Sequence, residues 1–158
     1  MKKKTFKNGG IRTYNDDGKL HSFNDEPSSL QFSGQNTSIR TWHKNGKLHR
    51  DNGPAYVEIK NEFFYFYKYY KNGLYHNVDG PAIQRVDRQD QGKPIVRSAY
   101  YYVDGAYFGS RNEIIDTVDM GRYKKSAESY KAKHGIVQKI AGEIQLAHPR
   151  NPYELLEI

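Results

Sequence analysis

The sequence predicts a mostly β protein: an antiparallel β-meander built from about four hairpin repeats over residues 1–110, followed by two or three α-helices over residues 111–158. Three observations predict this. An aromatic–Asn/Asp–Gly motif recurs four times, tyrosine is concentrated between the copies, and the hydrophobic period turns from strand-like to helix-like in the tail.

The motif stands at Tyr14-Asn15-Asp16-Asp17-Gly18-Lys19-Leu20-His21, at Trp42-His43-Lys44-Asn45-Gly46-Lys47-Leu48-His49, at Tyr69-Tyr70-Lys71-Asn72-Gly73-Leu74-Tyr75-His76 and at Tyr101-Tyr102-Val103-Asp104-Gly105-Ala106-Tyr107-Phe108. The second and third copies continue alike, through Gly53-Pro54-Ala55 and Gly80-Pro81-Ala82. The interval lengthens only before the last copy, where Asp90-Gln91-Gly92-Lys93-Pro94 is inserted. Asn-Gly between aromatic flanks signals a two-residue hairpin, because both central residues of a type I′ turn need positive φ. Asn45-Gly46 and Asn72-Gly73 fit that turn. A second turn follows at Gly53-Pro54 and Gly80-Pro81, where proline removes a ladder donor and sets the entry of the next strand. Residues 55–60 and 82–87 then read as strands, Asn61-Glu62 as a turn, and residues 63–71 as one long strand. Stacking of each unit on its neighbours would build the core.

Alternation places Phe63, Tyr65, Tyr67 and Tyr69 on one side of that long strand and Phe64, Phe66 and Tyr70 on the other. A strand aromatic on both sides is either central and covered twice, or it exposes a tyrosine-rich face. Residues 99–103 pose the same alternative. Trp42, Tyr69 and Tyr101 are expected at equivalent inward positions.

In the tail, Ser110-Arg111-Asn112-Glu113 reads as a capping box ahead of Ile114-Ile115 and predicts a short helix to about Val118, broken by Gly121. Residues 123–133 are rich in helix formers. Val137, Ile140, Ala141 and Ile144 recur at helical spacing, predicting an amphipathic helix over residues 136–147 that Pro149 and Pro152 close.

The chain has 158 residues, the size of one domain with its own core. It has no cysteine, which excludes disulfide scaffolds, thiol chemistry and Cys-ligated metals. No apolar run approaches the ~20 residues of a membrane span, and no signal-peptide core follows Lys2-Lys3-Lys4. The expectation is a soluble, cytoplasmic protein without a membrane partner. A net charge of +7 favours anionic partners, and the basic excess falls mainly in residues 1–110.

The pattern Trp/Tyr-x-x-Asn-Gly-x-x-His-Arg-x-x-Gly-Pro-Ala, close at residues 42–55 and with Asn77 for Arg at 69–82, resembles degenerate MORN-variant repeats of bacteriophages, large DNA viruses and bacteria. The first copy is degenerate, its Pro27 displaced, and the last matches only in its first half. The resemblance covers about residues 11–116. It implies an all-β repeat sheet, a phage or viral setting, and a structural or interaction module with no activity of its own.

His21, His49 and His76 recur once per unit. Strands lie ~4.8 Å apart, so one His per unit is too far from the next for shared ligation at ~2 Å, and no metal is expected. The expected partner of each ring is the backbone of the Gly-Pro turn. The pairs His49/Asp51 and His76/Asp79 have the chemistry of a general base, but they recur with the scaffold, and no nucleophile or phosphate-loop motif accompanies them. The expectation is a non-catalytic binding protein without cofactor. Tyrosines interleaved with Lys and Arg are the candidate surface: Arg40, Lys44, Arg50, Tyr65, Tyr67, Lys68, Tyr70, Arg85, Tyr100 and Tyr102. Tyrosine gives large rigid contacts at low entropy cost, which favours a protein partner. With the viral resemblance, the partner is expected to be a host protein or complex, a defence-system component among them, that is bound and inhibited. The alternative is an anionic ligand, nucleic acid or a cyclic nucleotide, stacked on the tyrosines.

Overall fold

The computed structural model describes residues 1–34, 36–90 and 92–134. Along the chain the strands are β1 (Lys2–Thr5), β2 (Ile11–Tyr14), β3 (Ser29–Ser33), β4 (Thr37–Thr41), β5 (His43–Lys44), β6 (Lys47–Leu48) and β7 (Tyr56–Lys60). They continue as β8 (Phe64–Lys68), β9 (Tyr70–Lys71), β10 (Leu74–Tyr75), β11 (Ile83–Asp87), β12 (Ile95–Val103) and β13 (Ala106–Asn112), and one helix follows, α1 (Met120–Lys133). A single nine-stranded antiparallel sheet runs β1-β2-β3-β4-β7-β8-β11-β12-β13. The pairs β5–β6 and β9–β10 are short hairpins carried beyond one end of it. The fold is therefore a mostly antiparallel β-meander with a helix behind it.

The turns follow the local chemistry. Asn45-Gly46, Asn72-Gly73 and Asp104-Gly105 each have positive φ at both residues, between 49° and 86°, as a type I′ turn requires. Each turn also docks on the hairpin before it. The N–H groups of Gly46, Gly73 and Gly105 donate to the carbonyls of Leu20, Leu48 and Tyr75 at 2.8–2.9 Å. The N–H groups of Asn45, Asn72 and Asp104 donate to Nδ1 of His21, His49 and His76 at 3.1, 3.0 and 2.9 Å. The histidines thus bind the next hairpin turn, not the Gly-Pro turn expected from proximity in sequence. The reason is that strand pairing brings the following turn alongside each ring.

The Gly-Pro-Ala segments lie beneath the hairpins. Ala55 and Ala82 are fully buried, and their carbonyls accept from Trp42 and Tyr69 N–H at 2.8 and 2.7 Å. Ser28 stands in the same place in the first unit, its carbonyl accepting from Thr13 N–H at 2.8 Å. Thr13, and not Tyr14, therefore fills the position of Trp42. The first turn, closed by Asn15 N–H to the Lys19 carbonyl at 2.9 Å, is longer than the Asn-Gly turns and shifts the aromatic by one residue.

Opposed residues of an antiparallel ladder share a face. Tyr100, Ile83, Lys68, Tyr56 and Thr41 form a row on one face. Ala99, Gln84, Tyr67, Val57 and Arg40 form a row on the other. The second face carries the core. One cluster joins Trp42, Ala55, Val57, Tyr67 and Val86, and another joins Ala99, Tyr101 and Val103 to Tyr123 and Ala127 of α1. Tyr123 meets Tyr101 edge-on at 5.0 Å, and its hydroxyl accepts from Gly80 N–H at 3.0 Å, pinning the helix to the Gly80-Pro81 turn.

The tail departs from expectation. Residues 110–112 belong to β13, where Ser110 and Asn112 pair with Tyr100 and Ser98. Glu113 bonds Arg97 instead of capping a helix. The helix begins later, with Asp119 as N-cap accepting from Arg122 N–H at 3.1 Å, and Gly121 lies inside its first turn. The helix expected over residues 136–147 lies outside the described residues. Residues 115–119 fold back along β13, with Thr117 and Asp119 N–H donating to Ser110 and Phe108 carbonyls at 2.8 and 2.9 Å. That edge is covered, whereas the opposite edge, β1, is exposed and carries three lysines.

Candidate binding surface

The hairpins create one continuous row of side chains. Within them the opposed pairs are Tyr14 with Leu20, His43 with Leu48, Tyr70 with Tyr75, and Tyr102 with Tyr107. Between hairpins, Arg50 N–H donates to the Tyr70 carbonyl at 3.3 Å and Asn77 N–H to the Tyr102 carbonyl at 3.1 Å. The last two hairpins thereby set four tyrosines side by side on consecutive strands. Ring centroids are 4.6 Å apart for Tyr70–Tyr75, 5.1 Å for Tyr75–Tyr102 and 5.0 Å for Tyr102–Tyr107. These gaps follow the ~4.8 Å spacing of strands, so the backbone ladder sets them. Tyr70, Tyr75 and Tyr102 are half-buried, and Tyr107 is exposed.

Lys68 and Tyr56 lie on the same face beside this row. The Lys68 ammonium sits 4.7 Å from the Tyr56 ring centroid, and the Tyr56 hydroxyl donates to Glu58 Oε1 at 2.6 Å. Burial pushes the Tyr56 hydroxyl pKa up, and the bond to Glu58 adds to the shift. Burial does the same at Tyr70, helped by its hydrogen bond with Tyr75, and at Tyr102. These three hydroxyls therefore stay protonated near neutrality, so the surface presents neutral rings, with a cation at its margin.

The ten residues expected to bind do not form one surface. Lys68, Tyr70, Arg85, Tyr100 and Tyr102 share the tyrosine face, with Arg85 exposed and 5.7 Å over the Phe66 ring. Lys44 is exposed on the arm of a hairpin. Tyr67 is fully buried in the core, because its strand is central and its face is the covered one. Tyr65 and Arg40 lie on that same face, the Tyr65 hydroxyl donating to the Glu62 carbonyl at 3.2 Å. Arg50 is committed to the scaffold: it stacks 3.9 Å over Trp42, pairs with Asp25 through two bonds of 3.0 and 3.1 Å, and donates to the Pro54 carbonyl.

Three members of the surface escaped the sequence reading: Tyr56, Tyr75 and Tyr107. The signal for two of them was in the motif. Tyr75 and Tyr107 stand two residues after the motif glycine, where the earlier copies have Leu20 and Leu48.

The acid–base pairs also resolve differently. His49 bonds Asp51 Oδ1 through Nε2 at 3.0 Å while Nδ1 accepts from Asn72, so both ring nitrogens are engaged. That bond holds the Asp51 carboxyl below its usual range, against the effect of burial. Asp79 instead pairs with Lys131 of α1 at 3.0 Å, and the His76 ring packs on Tyr130. Among the described residues no three His, Asp or Glu side chains gather as a metal site requires, and no helix is long and apolar enough to cross a membrane. Comparison with family models, with curated proteins and with solved structures finds no match.

Proposed function

We propose that this chain is a non-catalytic binding protein, a scaffold of about four hairpin units that engages another protein through its tyrosine row. The observation that carries the reading is the contiguous, half-exposed set Tyr70, Tyr75, Tyr102 and Tyr107, with Tyr56 and Lys68 beside it. Interfaces draw most of their energy from a few aromatic and cationic anchors on a preorganised surface. A hydrogen-bonded ladder holds these rings in place before any partner arrives. The resemblance of the units to viral and phage repeats supports the fuller reading, inhibition of a host protein or complex.

The test is co-purification from host lysate with the wild-type chain, a Tyr75→Ala/Tyr102→Ala variant and an Arg40→Ala variant on the opposite face. The expected result is a defined protein retained after nuclease treatment and in moderate salt. It should be lost with the tyrosine variant, which should cost about 2 kcal/mol or more of binding per anchor, and kept with Arg40→Ala. Nuclease-sensitive capture, or equal capture by all three chains, would reject the reading.

A further inference from the structure

A second feature lies at the other end of the sheet. β2 begins at Ile11 and pairs with β3 only at Leu30 and Ser29. β3 runs on to Ser33, paired there only with β4. The turn at residues 6–10, closed by Phe6 N–H to the Gly10 carbonyl at 2.8 Å, stands beside this unpaired stretch. The gap is a cleft of about 430 Å³ whose walls include Phe6, Lys7, Arg12, Gln31 and Phe32. That volume is in the range of small-molecule sites.

The lining is unusual for a surface of this kind. Phe6 and Phe32 both line it and are 36% and 44% exposed. The Lys4 ammonium and the Arg12 guanidinium lie 5.2 and 5.3 Å from the Phe6 ring centroid. Arg12 and Lys7 line the cleft, and Lys4 stands next to it over the Phe6 ring. Among the described residues none of Lys4, Lys7 and Arg12 is in an ion pair. Asp16, the nearest acid in sequence, pairs with the chain's amino terminus. An occupant that satisfies this lining must be anionic and must offer a flat apolar surface. An aliphatic carboxylate or a free phosphate meets only the first condition, and an apolar peptide only the second.

We propose that this cleft binds a nucleobase-linked phosphate, with the base against the Phe32 ring and the phosphate beside Lys7 and Arg12. Two sources carry this chemistry, a free nucleotide and a single strand of nucleic acid. Both use the same parts: stacking on an aromatic ring, and cations along a phosphate. The site is separate from the tyrosine row and stands or falls independently of it.

The experiment titrates the whole chain with AMP by calorimetry and with a short fluorescein-labelled oligothymidylate by anisotropy. The variants are Phe32→Ala, Phe32→Leu, Arg12→Gln, Tyr75→Ala in the tyrosine row, and Lys124→Gln/Lys125→Gln as a control for lost charge on α1. Phe32→Leu keeps apolar bulk and removes only the ring, so it reads stacking even if Phe32→Ala is poorly folded. Binding of AMP alone identifies the free nucleotide, and binding of the oligonucleotide alone, weakening with salt, identifies the single strand. In either case both Phe32 variants should weaken binding by ~5- to 100-fold. Arg12→Gln should weaken it as well, while Tyr75→Ala should leave it unchanged. No binding of either probe, or binding that only the Lys124/Lys125 variant reduces, would overturn the proposal.

Discussion

Trp42 shows how much one side chain is asked to do. Its indole N–H donates to the Asp25 carbonyl at 2.9 Å, Arg50 stacks on its ring, and the ring is 6% exposed at the head of the core cluster. Asn24 and Asp25 take positive φ to bring that carbonyl and the Asp25 carboxylate into reach. Trp42→Ala should destabilise the fold by about 3–5 kcal/mol, measured by urea unfolding with circular dichroism. It is the chain's only tryptophan, so blue-shifted emission of the native protein is a second expected result. Gly46 is constrained differently. Its φ is +86°, yet a Cβ there would meet nothing closer than the Lys19 side chain at 3.7 Å. Gly46→Val should therefore cost about 1–3 kcal/mol through backbone strain alone. Gly46→Asn should recover much of the loss, because Asn tolerates this region; equal stability of the Val and wild-type chains in unfolding curves would refute the strain argument.

At the level of elements, hairpin-to-hairpin docking depends on neutral histidines. A backbone N–H can only donate, so Nδ1 of His21, His49 and His76 must keep its lone pair. Burial pushes the His76 pKa down to about 4, with Lys71 acting in the same direction. The unfolded chain, with an ordinary value of 6.5, then binds more protons than the native one between these two pKa values. This contribution to stability is present above pH 6.5 and is lost as pH falls toward 4. His76→Asn, which cannot titrate, should flatten the fall of Tm with acid across that window, and parallel Tm profiles for both chains would exclude the linkage. The hairpin turns were legible in the sequence because Asn-Gly meets a local demand on φ. The start of the helix was not. Ser110 to Glu113 is a sound local cap, but Ser110 and Asn112 pair with β12, and Glu113 finds Arg97, a partner distant in sequence that no local pattern reveals.

Across the whole molecule, the two faces of the sheet divide the work. One holds the Trp42 cluster and α1; the other carries the tyrosine row and its flanking cation, with Tyr70 also packing against the Trp42 cluster. Ten of the 14 tyrosines lie between Tyr56 and Tyr107, so their link to the sheet could be read directly. Their division into core and surface could not. Alternation sorts Tyr67 from Tyr70 but does not say which side is covered: at Tyr67 the cover is the Trp42 cluster, and at Tyr101 it is α1, brought from more than forty residues along the chain through Tyr123 on the Gly80 turn. The surface row itself joins residues of four strands. It becomes visible only once the register between hairpins is known.

That register has a consequence for how such a chain can change. Neighbouring hairpins meet through the same two bonds each time, one to a carbonyl and one to a histidine ring. A second copy of residues 46–72 placed after Asn72 would restore Asn-Gly at the junction and meet a familiar partner on both sides. The sheet would widen by two strands, or ~10 Å. Gene duplication could therefore lengthen or shorten this protein by whole hairpins without inventing an interface, and the reach of its tyrosine face could evolve by counting.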